Sequence, residues 1–172
     1  MSAARDVHSA TGFGSSWPDD LPSGMIRGNR PRNQHFEDDE KLYRRFRPDM
    51  VDGRRLELDA VCMPDMSVMR ESLMDDMRWV LIDPDGQRDF SSWGIAYFRV
   101  EDVPCEVLFR GAQLYIFGPR HVPLPRNYPH SEVWAYRDGE HLQGRNALPP
   151  EVHLTFRERL LQRTRIAVRP TR

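Results

Sequence analysis

The sequence predicts a single α+β domain in which a mainly antiparallel sheet packs against two or three helices, behind a flexible N-terminal tail. Three observations lead to this prediction. The second half of the chain contains a dense series of short β-prone segments separated by turn residues. Two other segments repeat apolar residues at close to helical spacing. Finally, a chain of 172 residues with 39% hydrophobic residues has enough apolar surface for one core but not for two.

Residues 1–35 are predicted to be the tail and residues 36–172 the domain. Glycine, proline and serine recur through the tail without a sustained apolar period, and such a segment cannot bury enough surface to order itself. Apolar residues that include Phe13, Trp17 and Ile26 are nevertheless spaced like a short linear motif, so the tail could dock on a partner protein. The alternative is an unstructured leader.

The first ordered element is expected within Glu37–Phe46. Its acidic start suits a helix N-terminus, whereas Leu42–Phe46 could equally be a strand, and Pro48 closes either one. Alternating apolar and polar residues predict a strand at Leu56–Val61. Apolar residues near the 3.6-residue repeat predict a helix at Met66–Trp79.

The second half of the domain is predicted to be rich in strands and to end in a helix. The expected strands are Trp93–Val100, which is the clearest, Glu106–Phe109, Gln113–Phe117 and Glu132–Tyr136. Arg137–Glu140 is expected to be a turn. Pro149 and Pro150 are a favourable start for a basic amphipathic helix at Glu151–Gln162.

Charge is distributed unevenly along the chain. Residues 151–172 hold six basic and two acidic residues, so this segment carries +4 in a chain whose net charge is −1. Such a patch could bind the phosphates of a nucleic acid; the alternatives are a solvated helix face or a partner for the chain's own acidic part. All 25 basic residues except Lys41 are arginine, whose planar guanidinium can hold a phosphate with two hydrogen bonds.

Cysteine use and hydropathy indicate a bacterial cytoplasmic protein. Cys62 and Cys105 are the only cysteines, and both thiols are expected to be reduced and buried. No apolar run approaches the roughly 18 residues that a bilayer span needs, so no membrane association is expected. The sequence shows no cofactor fingerprint, nucleophile motif or close-spaced set of metal ligands, so neither a cofactor nor a metal is expected.

Two histidines around a proline-stiffened loop form the first candidate site. A hairpin or wide turn between His121 and His130 could bring both imidazoles to one cavity. Paired imidazoles can share the roles of general base and general acid, and Arg126 between them could bind a phosphate. Alternatively, Asn127 caps a turn and His130 only begins a strand.

Ser67 and Arg70 form the second candidate site. Ser67 is placed as the N-cap of the predicted helix, and Arg70 then lies in its first turn, where a cation is unfavourable for the helix dipole. An arginine in such a place is expected to be held by an anion, a ligand or a buried acid. We therefore expect Arg70 and His130 to meet in one polar cluster.

Four short segments resemble a pattern in small uncharacterised bacterial proteins, some of which are encoded near prokaryotic conflict or defence operons. The segments are Leu42–Arg45 followed by Pro48, Ser67–Arg70, Gly94–Val100 and Asn127–Val133. The resemblance implies that Arg45, Ser67, Arg70, Asn127 and His130 form one spatial cluster. The opening Leu-Tyr-Arg also resembles the first strand of ADP-ribosyltransferase-like toxins, in which an arginine holds a dinucleotide phosphate, although the later glutamate motif of those toxins is not evident here.

Two functions follow as expectations. The first is a small cytoplasmic module that binds a partner protein, as an accessory or effector component of a bacterial conflict or defence system. The second is an enzyme that cleaves RNA or modifies a nucleotide, using His121 and His130 for proton transfer and Arg45, Arg70 or Arg126 for the phosphate. A cavity that contains both histidines would favour the enzyme.

Overall fold

The structure, a computed structural model, describes residues 21–144 and 146–171. Short strands dominate it. They are β1 (Lys41–Phe46), β2 (Val51–Asp52), β3 (Arg55–Leu56), β4 (Met66–Arg70), β5 (Gly94–Arg99), β6 (Glu106–Phe109), β7 (Gln113–His121), β8 (His130–Arg137), β9 (Glu140–His141) and β10 (Arg165–Val168). Helix α1 (Pro150–Arg163) is the single α-helix of the described residues.

Eight of the strands form one antiparallel sheet in the order β10-β5-β1-β4-β8-β7-β6, with β9 paired to β8. Strands β2 and β3 form a separate hairpin. The predicted α+β class with two or three helices is therefore wrong, because the described chain is rich in sheet and contains one α-helix. The prediction of a mainly antiparallel sheet agrees with this topology.

The main error concerns Met66–Trp79, which was predicted as a helix and begins instead as strand β4. Val68 and Met69 are both buried, in core clusters on opposite faces of the sheet. A strand that is covered on both faces has a continuous apolar run, and such a run cannot be distinguished from a buried helix by its spacing. Two 3-10 turns, Glu71–Leu73 and Met77–Leu81, follow the strand.

Other elements follow the sequence more closely. Residues 41–46 are a strand, which decides between the two alternatives for this segment, and Trp93–Val100 and Glu151–Gln162 are confirmed as β5 and α1. Asp138 and Gly139 both have positive φ, as the tight β8–β9 hairpin requires. The strand predicted at Leu56–Val61 is wrong, because strand β3 ends at Leu56 and Leu58–Ala60 form a 3-10 turn.

Two apolar clusters cover the two faces of the sheet. Val152, Phe156 and Leu160 of α1 pack onto one face, where the rings of Phe156 and Phe117 lie 4.3 Å apart. A smaller cluster on the other face contains Met25 and other residues. Helix α1 therefore occupies one face and leaves part of the opposite face open.

Residues 21–35 belong to the folded domain, which corrects the boundary predicted at residue 35. Met25 is fully buried, and its carbonyl accepts a hydrogen bond from the Tyr128 N–H at 2.8 Å. The Arg27 N–H donates to the Pro125 carbonyl at 2.9 Å, and the Tyr128 hydroxyl donates to the Pro31 carbonyl at 3.1 Å. The apolar residues Phe13 and Trp17 of the predicted docking motif lie outside the described residues.

Surface features correct one further expectation. Cys62 and Cys105 are free thiols, as predicted, but both are exposed rather than buried. No helix among the described residues is long and apolar enough to cross a membrane.

Candidate functional site

An open cleft of about 330 Å³ lies between β1 and β4, beyond the two positions at which these strands pair. Strand register puts Tyr43, Met69 and His130 side by side on the face of the sheet opposite α1. Tyr43 pairs with Met69, and Met69 pairs with His130. Side chains of successive strand residues alternate between faces, so Arg45 and Ser67 share this face with them. Arg45, Ser67, Asn127 and His130 all line the cleft, so the structure brings together four residues that the sequence singled out.

Three arginines give the cleft its charge. Arg44, Arg45 and Arg88 line it together with one carboxylate, Asp65. The Asp65 carboxylate accepts a hydrogen bond from the imidazole of His141 at 2.7 Å. The positive charge of the arginines is therefore in excess inside the cleft.

Arg45 is held rigidly in the wall of the cleft. Its Nη1 donates to the Val80 carbonyl at 3.1 Å, and its guanidinium carbon lies 3.7 Å from the centre of the Phe90 ring. Burial lowers the pKa of Arg45 to about 10; Asp83 opposes this shift, and the neighbouring cations Arg44 and Arg88 add to it. The guanidinium is therefore fixed by the Val80 carbonyl and the Phe90 ring, with two further cations among its neighbours.

Arg88 reaches the cleft from the loop that follows the Met77–Leu81 turn. The buried Asp83 carboxylate accepts hydrogen bonds from the Gln87 and Arg88 N–H groups at 2.9 and 2.8 Å, which folds this loop against the domain. The Arg88 residue itself is exposed at the rim. It is therefore a cation that a ligand can approach without displacing the core.

His130 presents one ring nitrogen to the cleft. Its Nδ1 lies 2.8 Å from the Val122 carbonyl, which can only accept, so Nδ1 carries the proton. Its Nε2 is then the acceptor for the Ser67 hydroxyl, 3.3 Å away, and a Glu132 oxygen lies 3.9 Å from the same nitrogen. In the neutral ring, the hydrogen bonds thus select the tautomer whose lone pair is directed at Ser67.

Asn127 is a buried amide at the edge of the same cleft. It is 8% exposed, and its Oδ1 has no hydrogen-bond partner among the described residues. Its backbone carbonyl accepts from the His130 N–H at 3.2 Å, so the predicted Asn127–His130 turn is present. A buried amide oxygen without a partner is unfavourable unless a ligand or water supplies a donor.

His121 lies outside the cleft, so the structure does not form the two-histidine cavity. The residue is fully buried; its Nδ1 accepts from the Asn33 N–H at 2.8 Å, and its Nε2 donates to the Tyr128 carbonyl at 2.7 Å. Burial lowers the pKa of His121, so the ring is held neutral. With both nitrogens bonded to backbone, His121 holds the proline-rich loop in place.

The side chains of Arg70 and His130 do not meet, because they lie on opposite faces of the sheet. Arg70 pairs with Leu42, whereas His130 pairs with Met69. The expected Arg70–His130 cluster is therefore wrong. The expectation assumed a helix at this position, where the structure has strand β4. Alternation along β4 directs the Arg70 side chain away from those of Ser67 and Met69.

The expected buried acid for Arg70 is nevertheless present. The side chain is 2% exposed, and it bonds both carboxylate oxygens of Glu40, with Nε–Oε1 and Nη2–Oε2 distances of 2.9 and 2.7 Å. It also donates to the carbonyls of Asn33, at 2.7 Å, and His35. Its guanidinium carbon lies 3.8 Å from the centre of the Phe36 ring. Arg70 therefore fastens the segment before β1 to the end of β4.

The remaining candidates are placed as follows. Arg126 is half-buried in the proline-rich loop and is not among the residues that line the cleft. In the basic C-terminal segment, Arg157 pairs with Asp59 at 2.6 Å, and Arg159 donates to the Glu106 carbonyl at 3.1 Å. These arginines stabilise the fold, and nucleic-acid binding by this segment stays a prediction.

Sequence reasoning missed several residues of the cleft, namely Arg44, Asp65, Arg88, Phe90 and Trp93. Arg44 stands next to a candidate, but Arg88, Phe90 and Trp93 come from a loop without a motif. Comparison with known proteins found no match: no family model, no curated protein and no solved structure matches this chain.

We predict that Glu40→Gln destabilises the domain by about 3–5 kcal/mol, because the change leaves the buried Arg70 cation uncompensated. Burial alone would raise the pKa of Glu40, but hydrogen bonds from Arg70 and Ser72 outweigh it and hold the pKa below 4.5. This stabilisation is therefore complete above pH 4.5 and is lost as the pH falls through the lowered pKa of the folded state.

Urea unfolding between pH 3 and 7 measures both effects. Glu71→Gln is the matched control, because Glu71 pairs with Lys41 at a half-exposed position, where such a pair contributes about 1 kcal/mol or less. Equal stability of the two variants at pH 7 would contradict the role assigned to Glu40.

Proposed function

We propose that the cleft binds a small phosphate-bearing ligand of nucleotide type, in the bacterial cytoplasm. The observation that carries this proposal is the convergence of Arg44, Arg45 and Arg88 on one cleft, which a single acid, Asp65, lines among the described residues. A phosphate would relieve the mutual repulsion of these cations. It would also accept charge-assisted hydrogen bonds, which are stronger than neutral ones.

The walls of the cleft supply a surface for a flat ring. Tyr43, Phe90 and Trp93 all line it, and the Phe90 and Trp93 rings meet edge to face with centres 4.8 Å apart. Trp93 is only half-buried, so part of its surface remains available for stacking. Stacking of a base on an aromatic side chain contributes about 1–3 kcal/mol.

Asn127 supplies a polar contact that a nucleobase can satisfy. Its buried Oδ1 needs a donor, and the edges of bases carry N–H groups. The volume of about 330 Å³ lies at the lower end of the range for small-molecule sites, roughly 300–1,000 Å³. Both features suit a mononucleotide or one nucleotide of a longer strand.

This proposal keeps the nucleotide chemistry expected for the enzyme but changes the residues. His121 has both ring nitrogens bonded to backbone, and Arg70 is neutralised by Glu40 on the other face, so neither can touch a ligand in the cleft. The proposed ligand-binding residues are therefore Arg45, Ser67, Asn127 and His130, together with Arg88.

We predict that Arg88→Glu weakens the binding of ADP at least tenfold, because it replaces an attracting charge at the rim by a repelling one. A tenfold loss corresponds to about 1.4 kcal/mol. Isothermal titration calorimetry at two salt concentrations measures the change, and binding by the wild-type protein should weaken at the higher concentration. Arg78→Glu makes the same charge change at an exposed position outside the cleft and should bind ADP normally. Equal loss in both variants, or no binding by the wild type, would contradict the proposal.

A second proposed function is the binding of a partner protein by a module of a conflict or defence system. The observation that favours it is an exposed apolar patch on β6 and β7, formed by Leu108, Leu114 and Ile116, which are 60%, 40% and 46% exposed. Leu108 and Leu114 are directly paired, so the patch is continuous across the two strands. Contiguous exposed apolar surface marks interaction sites.

We expect Ile116→Lys to abolish capture of a specific partner while leaving thermal stability and ADP binding unchanged. The measurement is affinity purification from the source cells followed by mass spectrometry, with sedimentation of the pure protein to detect a second copy as the occupant. Leu154→Lys, at a 44% exposed position of α1, is the matched control. A partner captured equally by both variants would place the interface elsewhere.

A further inference from the structure

Ser67 and His130 form a hydroxyl–imidazole pair at the floor of the cleft. Ser67 is an exposed residue of β4, and its hydroxyl lies 3.3 Å from the Nε2 of His130. In proteins without a bound substrate, a nucleophile and its base are often separated by slightly more than the ideal hydrogen-bond distance. The pair therefore has the geometry of a nucleophile next to a general base.

A third group orients the base. The Val122 carbonyl accepts the Nδ1 proton of His130 at 2.8 Å, which fixes both the tautomer and the plane of the ring. The Glu132 carboxylate, 3.9 Å from Nε2, stabilises positive charge on the ring after it accepts a proton. Orientation by a third group distinguishes a nucleophile–base arrangement from an isolated contact.

A cation is fixed at the backbone of Ser67. Arg44 donates through Nη1 to the backbone carbonyl of Ser67 at 2.9 Å and through Nε to the Ala60 carbonyl at 2.7 Å. These two bonds hold the guanidinium at the residue that carries the hydroxyl. Positive charge held in advance near a reacting phosphate stabilises the charge that develops in the transition state.

We propose that Ser67 is a nucleophile that accepts a phosphoryl group from the ligand, with His130 as its general base. The substrate class, a nucleotide-type phosphate ester, rests on the function proposed above. The Ser67 oxygen attacks phosphorus and its proton passes to His130 Nε2, while the bond from phosphorus to the leaving oxygen breaks and that oxygen takes the proton from Nε2. Water then attacks the phosphoserine with His130 again as base, which releases phosphate and restores the hydroxyl.

The test uses diisopropyl fluorophosphate, an uncharged phosphorus electrophile whose fluoride leaves when an activated serine attacks. Intact-protein mass spectrometry and peptide mapping should find one adduct, on Ser67. Ser67→Ala should remove it, and His130→Gln should slow its formation at least about 100-fold, the usual contribution of a general base. Ser92→Ala is the matched control, because Ser92 is also an exposed serine and lies outside the cleft, and this variant should be labelled like the wild type.

Thermal melting of each variant separates chemistry from folding, and Ser67→Ala remains decisive if His130→Gln unfolds, because Ser67 is exposed. An adduct that persists in Ser67→Ala, or a wild-type protein without any adduct, overturns the proposal that Ser67 is the nucleophile. ADP titration of the same samples distinguishes the two proposals. Binding of ADP without labelling contradicts only the proposal that Ser67 is a nucleophile. Labelling at Ser67 without ADP binding supports that proposal and contradicts the proposed nucleotide ligand.

Discussion

The buried ion pair between Arg70 and Glu40 is the interaction on which the rest of the structure depends. It joins the last residue of β4 to the residue before β1, and the additional bonds of Arg70 to the carbonyls of Asn33 and His35 attach the preceding segment. Burying two charges is costly unless their hydrogen bonds are satisfied, so only one alignment of these strands is favourable. That alignment sets the register that directs Arg45 and Ser67 to the open face.

His121 has a corresponding role for the proline-rich loop. Its imidazole is hydrogen-bonded to the backbone of Asn33 on one side and of Tyr128 on the other. The loop that it fixes places Asn127 and His130 at the cleft. The two buried polar side chains that resemble catalytic groups in the sequence, Arg70 and His121, thus serve the fold. The groups that can touch a ligand are their neighbours on the opposite face, because alternation along a strand sends successive side chains in opposite directions.

The sequence predicts the parts of the fold that depend on local chemistry. Strand β5, helix α1 and the Asp138–Gly139 turn have clear local signals. Of the five residues that the motif resemblance places in one cluster, Arg45, Ser67, Asn127 and His130 line the cleft and Arg70 does not, while the resemblance itself stays a prediction. Strand β4 could not be recognised, because Val68, Met69 and Arg70 are buried in succession and its apolar residues lose the two-residue period. Strand β4 places the side chains of Arg70 and His130 on opposite faces, and the fold of a loop places Arg88 at the cleft. Neither position can be predicted from residue spacing.

The central proposal is that the cleft binds the phosphate of a nucleotide. A crystal structure of the complex with ADP tests it most directly. The account predicts a phosphate oxygen within about 3 Å of the guanidinium groups of Arg45 or Arg88, and a base contact with Asn127 or Trp93. Density for ADP on the C-terminal basic segment, with the cleft filled only by water, would contradict the account.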